Sequence, residues 1–224
     1  MSLPILPSAS HICMMNIALF GATGRSGRAI ISAAQAAGHS VVAHVREGSE
    51  LKASGASVTI VQGSLNDPAT LDHMLAGCDC AISAMGTTDR KANTILSDAT
   101  CHVIAGLERA GINRLVCITS MGCGDSKAQV RSMIMRLVIR TVAKEIWADK
   151  DRQEQAIAAS ALDYLLVRPG GLTDKPASGD FLVLTPEQRP GKGQMLSRHD
   201  VAQFCLAEAV APTRHREAVT LLPA

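Results

Sequence analysis

The sequence predicts an α/β fold: a doubly wound parallel sheet with helices on both faces. Three observations carry that prediction. Short apolar runs alternate with helical segments of crossover length from one end of the chain to the other. The runs are apolar throughout rather than at every second residue, as strands covered on both faces are. The first run ends in a glycine turn that opens the first helix, and right-handed crossovers then wind the sheet in both directions.

The elements follow in order. Asn16 to Phe20 is a strand that stops at Gly21. Ser26 to Ala37 is helical and ends at Gly38, a residue suited to a helix C-terminus. Val41 to Val45 and Val58 to Val61 are β-branched strands. Pro68 opens a short helix, Ala69 to Ala76, closed by Gly77. A strand at Cys80 to Ala84 precedes a long helix, Ala92 to Ala110, which ends at Gly111. Leu115 to Thr119 is the next strand. Gln129 to Ala159 reads as mostly helix, with Ile134, Leu137, Val138 and Thr141 at helical spacing and Arg131, Arg136, Arg140 and Lys144 on a solvated face.

Tyr164 to Val167 is a strand ending at Arg168-Pro169. From there to Gly193 the chain is rich in Gly, Pro and Lys, with one strand-like run, Phe181 to Thr185. Ser197 with Asp200 reads as a capping box for a helix at Val201 to Ala209, and Ala218 to Leu222 is a final strand. Residues 1–224 are thus expected to form a single domain. Residues 1–15 would be an N-terminal extension, and residues 170–197 a small C-terminal substrate-side lobe.

Composition narrows the function classes. The chain has 224 residues, 47% of them hydrophobic and 2% aromatic, so aliphatic side chains must build the core. A net charge of +2 singles out neither nucleic acid nor an acidic surface. The prolines before Met15 and the lack of a basic run there do not read as a secretory signal. No apolar stretch approaches the ~18 residues that span a bilayer. Seven cysteines without a paired framework read as reduced thiols, and the Cys78/Cys80 spacing is not that of a zinc site. A cytoplasmic protein with a small-molecule partner, and with no metal, membrane or nucleic acid, is the expectation.

The glycine turn carries the chemistry. Gly21-Ala22-Thr23-Gly24-Arg25-Ser26-Gly27 has the spacing GxxGxxG between the first strand and the first helix, the context of a dinucleotide fingerprint. Glycines there permit a sharp turn and let backbone N–H groups reach a diphosphate. The helix N-terminus adds partial positive charge. A tight turn that binds nothing is the plain alternative. NAD enzymes place an acid about 20 residues beyond the glycines, on the ribose hydroxyls. Here that place reads His44-Val45-Arg46. The Arg46 guanidinium suits a 2′-phosphate, with Arg25 able to join it, so NADP(H) is favoured over NAD(H). Glu47 points the other way, and an ordinary loop arginine is the alternative.

These motifs follow in order: Asn16 to Arg25, Val45-Arg46, Gly63-Ser64-Leu65 with Asp67, Ser83-Ala84-Met85-Gly86, Thr119-Ser120 and Leu162 to Gly171. Together they resemble the atypical short-chain dehydrogenase/reductases, NAD(P)H-binding proteins with a Rossmann fold that include biliverdin reductase B-like (flavin reductase-like) and NmrA-like groups. The resemblance runs from Asn16 to the C-terminus. It implies that Gly21, Thr23, Gly24, Arg25 and Gly27 hold the pyrophosphate side and Arg46 the 2′-phosphate. Ser64 and Leu65 would flank the adenine, and Ala84, Met85 and Gly86 would run beside the ribose and nicotinamide. Pro169, Gly170, Gly171 and Leu172 would border the nicotinamide. Ser120 would be the active-site hydroxyl, and Lys150 would match a lysine near the cofactor ribose.

The chain departs from the wider superfamily in lacking Tyr-x-x-x-Lys. Its one tyrosine, Tyr164, lies in a strand and reads as a core residue. Ser64 stands where an acid is common, and Gly171 where biliverdin reductase B-like proteins carry a histidine. Two functions fit. One is an NADPH-dependent reductase of a flavin-, quinone- or carbonyl-type acceptor, of which a flavin or quinone takes hydride without a strong protein acid. The other is a non-catalytic NAD(P)(H) sensor that binds partner proteins, as NmrA-like proteins do. Trp147 and Phe181 could line an acceptor site, though packing explains both. Cys123 reads as an ordinary loop cysteine rather than a reactive thiol, and His199 as a surface histidine.

Overall fold

A computed structural model describes residues 14–51, 55, 57–87, 91, 94–189, 191 and 195–224. Most of the expected N-terminal extension, Ala92 at the expected start of the long helix, and Gly193 therefore lie outside the described residues.

The elements in chain order are β1 (Asn16–Phe20), α1 (Arg25–Ala36), β2 (Ser40–Val45), β3 (Val58–Gln62), α2 (Pro68–Leu75), β4 (Cys80–Ser83), α3 (Ile95–Ala110) and β5 (Arg114–Ile118). A 3-10 helix at Gly124–Gln129 leads to α4 (Met133–Arg140) and α5 (Lys144–Ala159). Then come β6 (Asp163–Pro169), β7 (Gly171–Thr173), β8 (Phe181–Leu184), β9 (Met195–Ser197), α6 (Arg198–Val210) and β10 (Glu217–Pro223). The main sheet has eight strands in the order β3-β2-β1-β4-β5-β6-β10-β8. Every neighbouring pair is parallel except β10 with β8. This is a Rossmann-like sheet with helices on both faces.

Alternation along the strands divides the core in two. In β1, Ile17 and Leu19 face α1 and α6 together with Ile30, Ile82, Val167 and Cys205. Ala18 and Phe20 face α2, α3 and α5 together with Leu71, Met74, Leu107 and Ile157. All four β1 side chains are fully buried, which is why the strand reads as one apolar run. Each such Leu or Ile contributes roughly 1.5–3 kcal/mol relative to exposure.

Helix starts depend on caps. Asp67 accepts from the Ala69 and Thr70 amides at 3.1 and 3.2 Å, and Pro68 pre-sets the first turn of α2. The α3 helix begins at Ile95, later than the expected Ala92. Its cap comes from α5: the buried Asp149 carboxylate accepts from Leu96 N (2.9 Å), Ser97 N (3.2 Å) and Ser97 Oγ (2.6 Å).

Four expectations need correction. The helix expected over Gln129 to Ala159 is broken, because Ser132 caps a new start and Thr141 ends α4, its hydroxyl bonding back to the Leu137 carbonyl at 2.7 Å. Ile134 and Leu137, expected to pack, are exposed. The capping box is half right. Ser197 Oγ accepts from His199 N at 3.1 Å, but the Asp200 carboxylate turns to Ser178 and Gly179, whose amides donate at 3.2 and 2.8 Å. Finally, residues 170–197 hold a second sheet, β7 parallel to β9 with Gly171 opposite Met195, whose three-residue strands are too short to show a period. Among the described residues no helix is long and apolar enough to cross a membrane.

Candidate functional site

The winding of the sheet reverses between β1 and β4, so the loops after these strands part and leave a crevice at their carboxyl ends. The glycine turn occupies it. Gly21 has φ +78°, and a Cβ on it would lie 2.6 Å from the Ala84 carbonyl oxygen and 2.8 Å from the Met85 nitrogen. Gly27 is tighter still: its Cβ would lie 2.3 Å from the Gly21 carbonyl oxygen and 2.7 Å from Ala22 Cα. Only hydrogen at both positions lets the turn, the first turn of α1 and the end of β4 meet backbone to backbone.

Gly24 precedes α1 as its cap residue. No side chain caps this helix, and its first turn holds no acid. The α2 and α3 helices have carboxylates at the equivalent place. The α1 terminus thus keeps its partial positive charge and its outward N–H groups for an anion. A diphosphate fits these residues on both counts, charge and close backbone approach.

Around this centre, Arg46 stands exposed just past β2 and, among the described residues, makes no ion pair. Arg25 is engaged: it donates to Asp174 Oδ2 at 3.0 Å, while Arg198 donates to Asp174 Oδ1 at 2.7 Å. Desolvation raises the Asp174 pKa, but the Arg198 charge and hydrogen bond, then those of Arg25, hold it below the usual carboxylate value. The ends of β2 and β3 are joined by buried His44, whose Nε2 lies 2.9 Å from the Gly63 carbonyl oxygen. Ser64 follows, exposed, its Oγ accepting from Asn66 N at 3.2 Å, and Leu65 is half-buried. Ala84 and Met85 are half-buried, and Gly86 is exposed.

At the end of β5, Lys150 Nζ donates to the Thr119 carbonyl oxygen at 3.4 Å, one residue before Ser120. Thr119 Oγ1 donates to Glu154 Oε1 at 2.6 Å, and buried Arg168 donates to both Glu154 oxygens at 3.0 and 2.7 Å. A further Arg168 contact reaches Asp125. Burial alone would lower the Arg168 pKa; the Glu154 hydrogen bond and charge, then those of Asp125, raise it instead. This buried pair ties α5 to the ends of β5 and β6. Met121 N donates to the Pro169 carbonyl at 3.0 Å and Gly170 N to the Leu221 carbonyl at 3.1 Å, which sets the Pro169-Gly170-Gly171 loop beside Ser120.

The family model described as NAD(P)H-binding matches residues 21–212. The chain belongs to that NAD(P)H-binding family. Its relatives include the oxidoreductase StcQ of Emericella nidulans, 26% identical over 239 residues that cover 94% of this chain and 84% of StcQ. Among solved structures it is similar to ChuY, an anaerobillin reductase from Escherichia coli O157:H7. There the TM-score is 0.74 and the identity 28%, over 93% of this chain and 97% of ChuY. A short-chain dehydrogenase/reductase from Veillonella parvula, solved in complex with NADP, shares the fold at TM-score 0.77 and 15% identity, covering 93% of this chain and 94% of that one. The chain is therefore an NAD(P)H-binding protein of an oxidoreductase family.

In this NAD(P)H-binding chain, the glycine turn meets Ala84 and Met85, and Ser120 and Lys150 share one strand end. Tyr164 is elsewhere, at the start of β6 with the Arg216 guanidinium 5.2 Å from its ring centre. Four residues before Lys150, where Tyr-x-x-x-Lys would put the tyrosine, stands Ile146. Cys123 is fully buried, and burial pushes its thiol up to about 12, which leaves it no thiolate at neutral pH. Phe181 packs edge-on against Phe204 at 5.9 Å, and Trp147 Nε1 donates to the Met121 carbonyl at 3.3 Å. His199 is exposed. Sequence reading missed Asp149, Glu154 and Asp174. Only Glu154 had a signal, and an indirect one: Arg168 is a charge inside an apolar strand and needs a buried partner.

Proposed function

We propose that the chain is an NADPH-dependent reductase that passes hydride to a small conjugated acceptor of the flavin, quinone or carbonyl type. The observation that carries this reading is Lys150 Nζ donating to the Thr119 carbonyl, one residue before Ser120, while the chain's one tyrosine lies elsewhere, at the start of β6. Bound NADPH supplies the hydride. Gly21, Thr23, Gly24 and Gly27 hold its diphosphate through backbone amides, and Arg46 holds the 2′-phosphate. Ser64 and Leu65 flank the adenine, and Ala84, Met85 and Gly86 run beside the ribose.

Ser120 Oγ donates a hydrogen bond that orients the acceptor, and the fixed Lys150 charge favours the negative charge an acceptor gains on reduction. With a flavin or quinone acceptor, whose reduced anion is a weak base, the proton that completes reduction comes from water. ChuY, to which the chain is similar, is an anaerobillin reductase, and that similarity supports a reductase reading.

The test is NADPH oxidation followed at its near-ultraviolet absorbance with a panel of quinones, flavins, linear tetrapyrroles and aldehydes. Turnover with a conjugated acceptor, lowered at least tenfold in kcat by Ser120→Ala, is expected. NADPH binding with no turnover on any acceptor would replace the reductase by a sensor that binds protein partners.

A further inference from the structure

We propose that Glu154 is a positioning residue for the reduction, acting through the Thr119 hydroxyl to fix where Ser120 stands against the acceptor. The inference rests on the reductase reading, which assigns Ser120 and Lys150 but gives no part to Glu154 or to the Thr119 side chain. Two observations carry it.

The first is a grip on one residue. Lys150 and Glu154 lie one turn apart on the same face of α5. Both reach Thr119. Lys150 Nζ donates to its carbonyl oxygen at 3.4 Å, and Thr119 Oγ1 donates to Glu154 Oε1 at 2.6 Å. The Thr119 amide is engaged as well, donating to the Val167 carbonyl oxygen at 2.8 Å. Every polar group of Thr119 is therefore held, and with it the peptide that leads into Ser120. The loop beyond rests on the same support: Gly124 has φ +53°, and a Cβ on it would lie 2.5 Å from Arg168 Nη2 and 2.9 Å from Glu154 Oε2. Ser120 is the exception. It is half-buried, its carbonyl accepts from Cys123 N at 3.2 Å, and its Oγ bonds to no described residue. A hydroxyl left unbonded on a backbone held from both sides is placed to serve a ligand.

The second is the rigidity of the anchor. A Lys and a Glu four residues apart on a helix are within reach of each other. Here they do not pair. Arg168 takes both Glu154 oxygens, at 3.0 and 2.7 Å, in a buried forked contact. Among the described residues Lys150 has no carboxylate partner, so its ammonium stays on the Thr119 carbonyl. Joining α5 to β6 requires only Glu154 and Arg168. The Thr119 hydroxyl is the extra member, and it leads to Ser120.

The experiment is steady-state kinetics of the full chain with NADPH and the acceptor it turns over fastest. Thr119→Val keeps the branched shape and removes the hydroxyl, while Glu154 Oε1 keeps its bond from Arg168 Nε. It should lower kcat about fivefold and leave the KM for NADPH within about threefold. Thr119→Ser, which keeps the hydroxyl, should recover most of that rate. In a Ser120→Ala background the valine change should lower kcat by less than about twofold more, because its effect passes through Ser120. Glu154→Gln should lower kcat at least as much as Thr119→Val. It leaves the buried Arg168 charge with Asp125 alone, so where circular dichroism shows it unfolded the threonine variants decide. A Thr119→Val kcat within about twofold of the parent overturns the proposal. So does a loss that persists in full on Ser120→Ala, or one that serine does not recover, since either makes Thr119 a structural residue only. A parent that turns over no acceptor removes the reductase reading and this proposal with it. A parent that turns over while Thr119→Val is silent removes the proposal alone.

Discussion

Gly27→Ala tests the site at its tightest point. The added Cβ would sit 2.3 Å from the Gly21 carbonyl oxygen and 2.7 Å from Ala22 Cα, about 1 Å short of ordinary contact. Both obstacles are backbone, so no side chain can swing away, and the first turn of α1 must move as a body. Overpacking of this kind costs about 3 kcal/mol at the upper end, and alanine returns up to about 1 kcal/mol in helix propensity. The net loss is about 2 kcal/mol, which for a chain of this size lowers Tm by about 4–8 °C.

Binding should suffer more than stability. A displacement of about 1 Å takes an N–H···O contact out of hydrogen-bond range. Losing one or two bonds to a charged phosphate costs roughly 1.5–3 kcal/mol each, or on the order of 100-fold in Kd. Calorimetric titration with NADPH and thermal melts with and without it measure both quantities. A variant with Tm within about 1 °C and Kd within about twofold of the parent would refute the close-approach argument. Lost stability with intact affinity would remove the diphosphate from the turn.

Three further outcomes are expected. Gly86→Ala should leave the free protein's Tm unchanged, because a Cβ there meets nothing within 4 Å; NADPH affinity should nonetheless fall severalfold, and unchanged affinity would move the cofactor away from the end of β4. Arg46→Ala should weaken NADPH about 10- to 100-fold and NADH less than about twofold, by titration with each; equal losses would end the case for a 2′-phosphate contact. Burial, foremost, lowers the His44 pKa below 6.5, so the folded state holds it neutral and the unfolded chain binds the extra proton first. The urea midpoint should therefore be flat above about pH 7.5 and fall as pH drops through 6.5 toward the lowered value, and His44→Gln should flatten that fall; an unchanged slope would show that other groups set it.

Much of the sheet was legible because its strands are buried on both faces. Asn16 to Phe20 read as one apolar run, and the structure places its ends on the same residues. The glycine turn was legible too, since position between strand and helix gives glycine spacing a physical meaning. What failed was non-local. Nothing near Leu96 reveals that Asp149, 53 residues away, caps its helix. Asp200 looked like a local capping acid, yet a loop 22 residues earlier supplied better donors. The Gln129 to Ala159 segment has helical spacing throughout, but Ser132 and Thr141 offer the backbone competing bonds that composition does not weigh. Arg25 was expected on the phosphate side, and its ion pair with Asp174 depends on where residues after β7 fold back.

The position of β10 has a consequence for how the chain is made. It follows every other described strand in sequence, yet it lies inside the sheet between β6 and β8, with Leu221 fully buried and its carbonyl gripping Gly170. A nascent polypeptide can therefore pair β1 through β6 early, but it must wait for this segment to leave the ribosome before the loop after β6 is set. Until then β6 offers an open edge to other chains. Truncations that clip β10 should accumulate as aggregates rather than as weakened but folded protein.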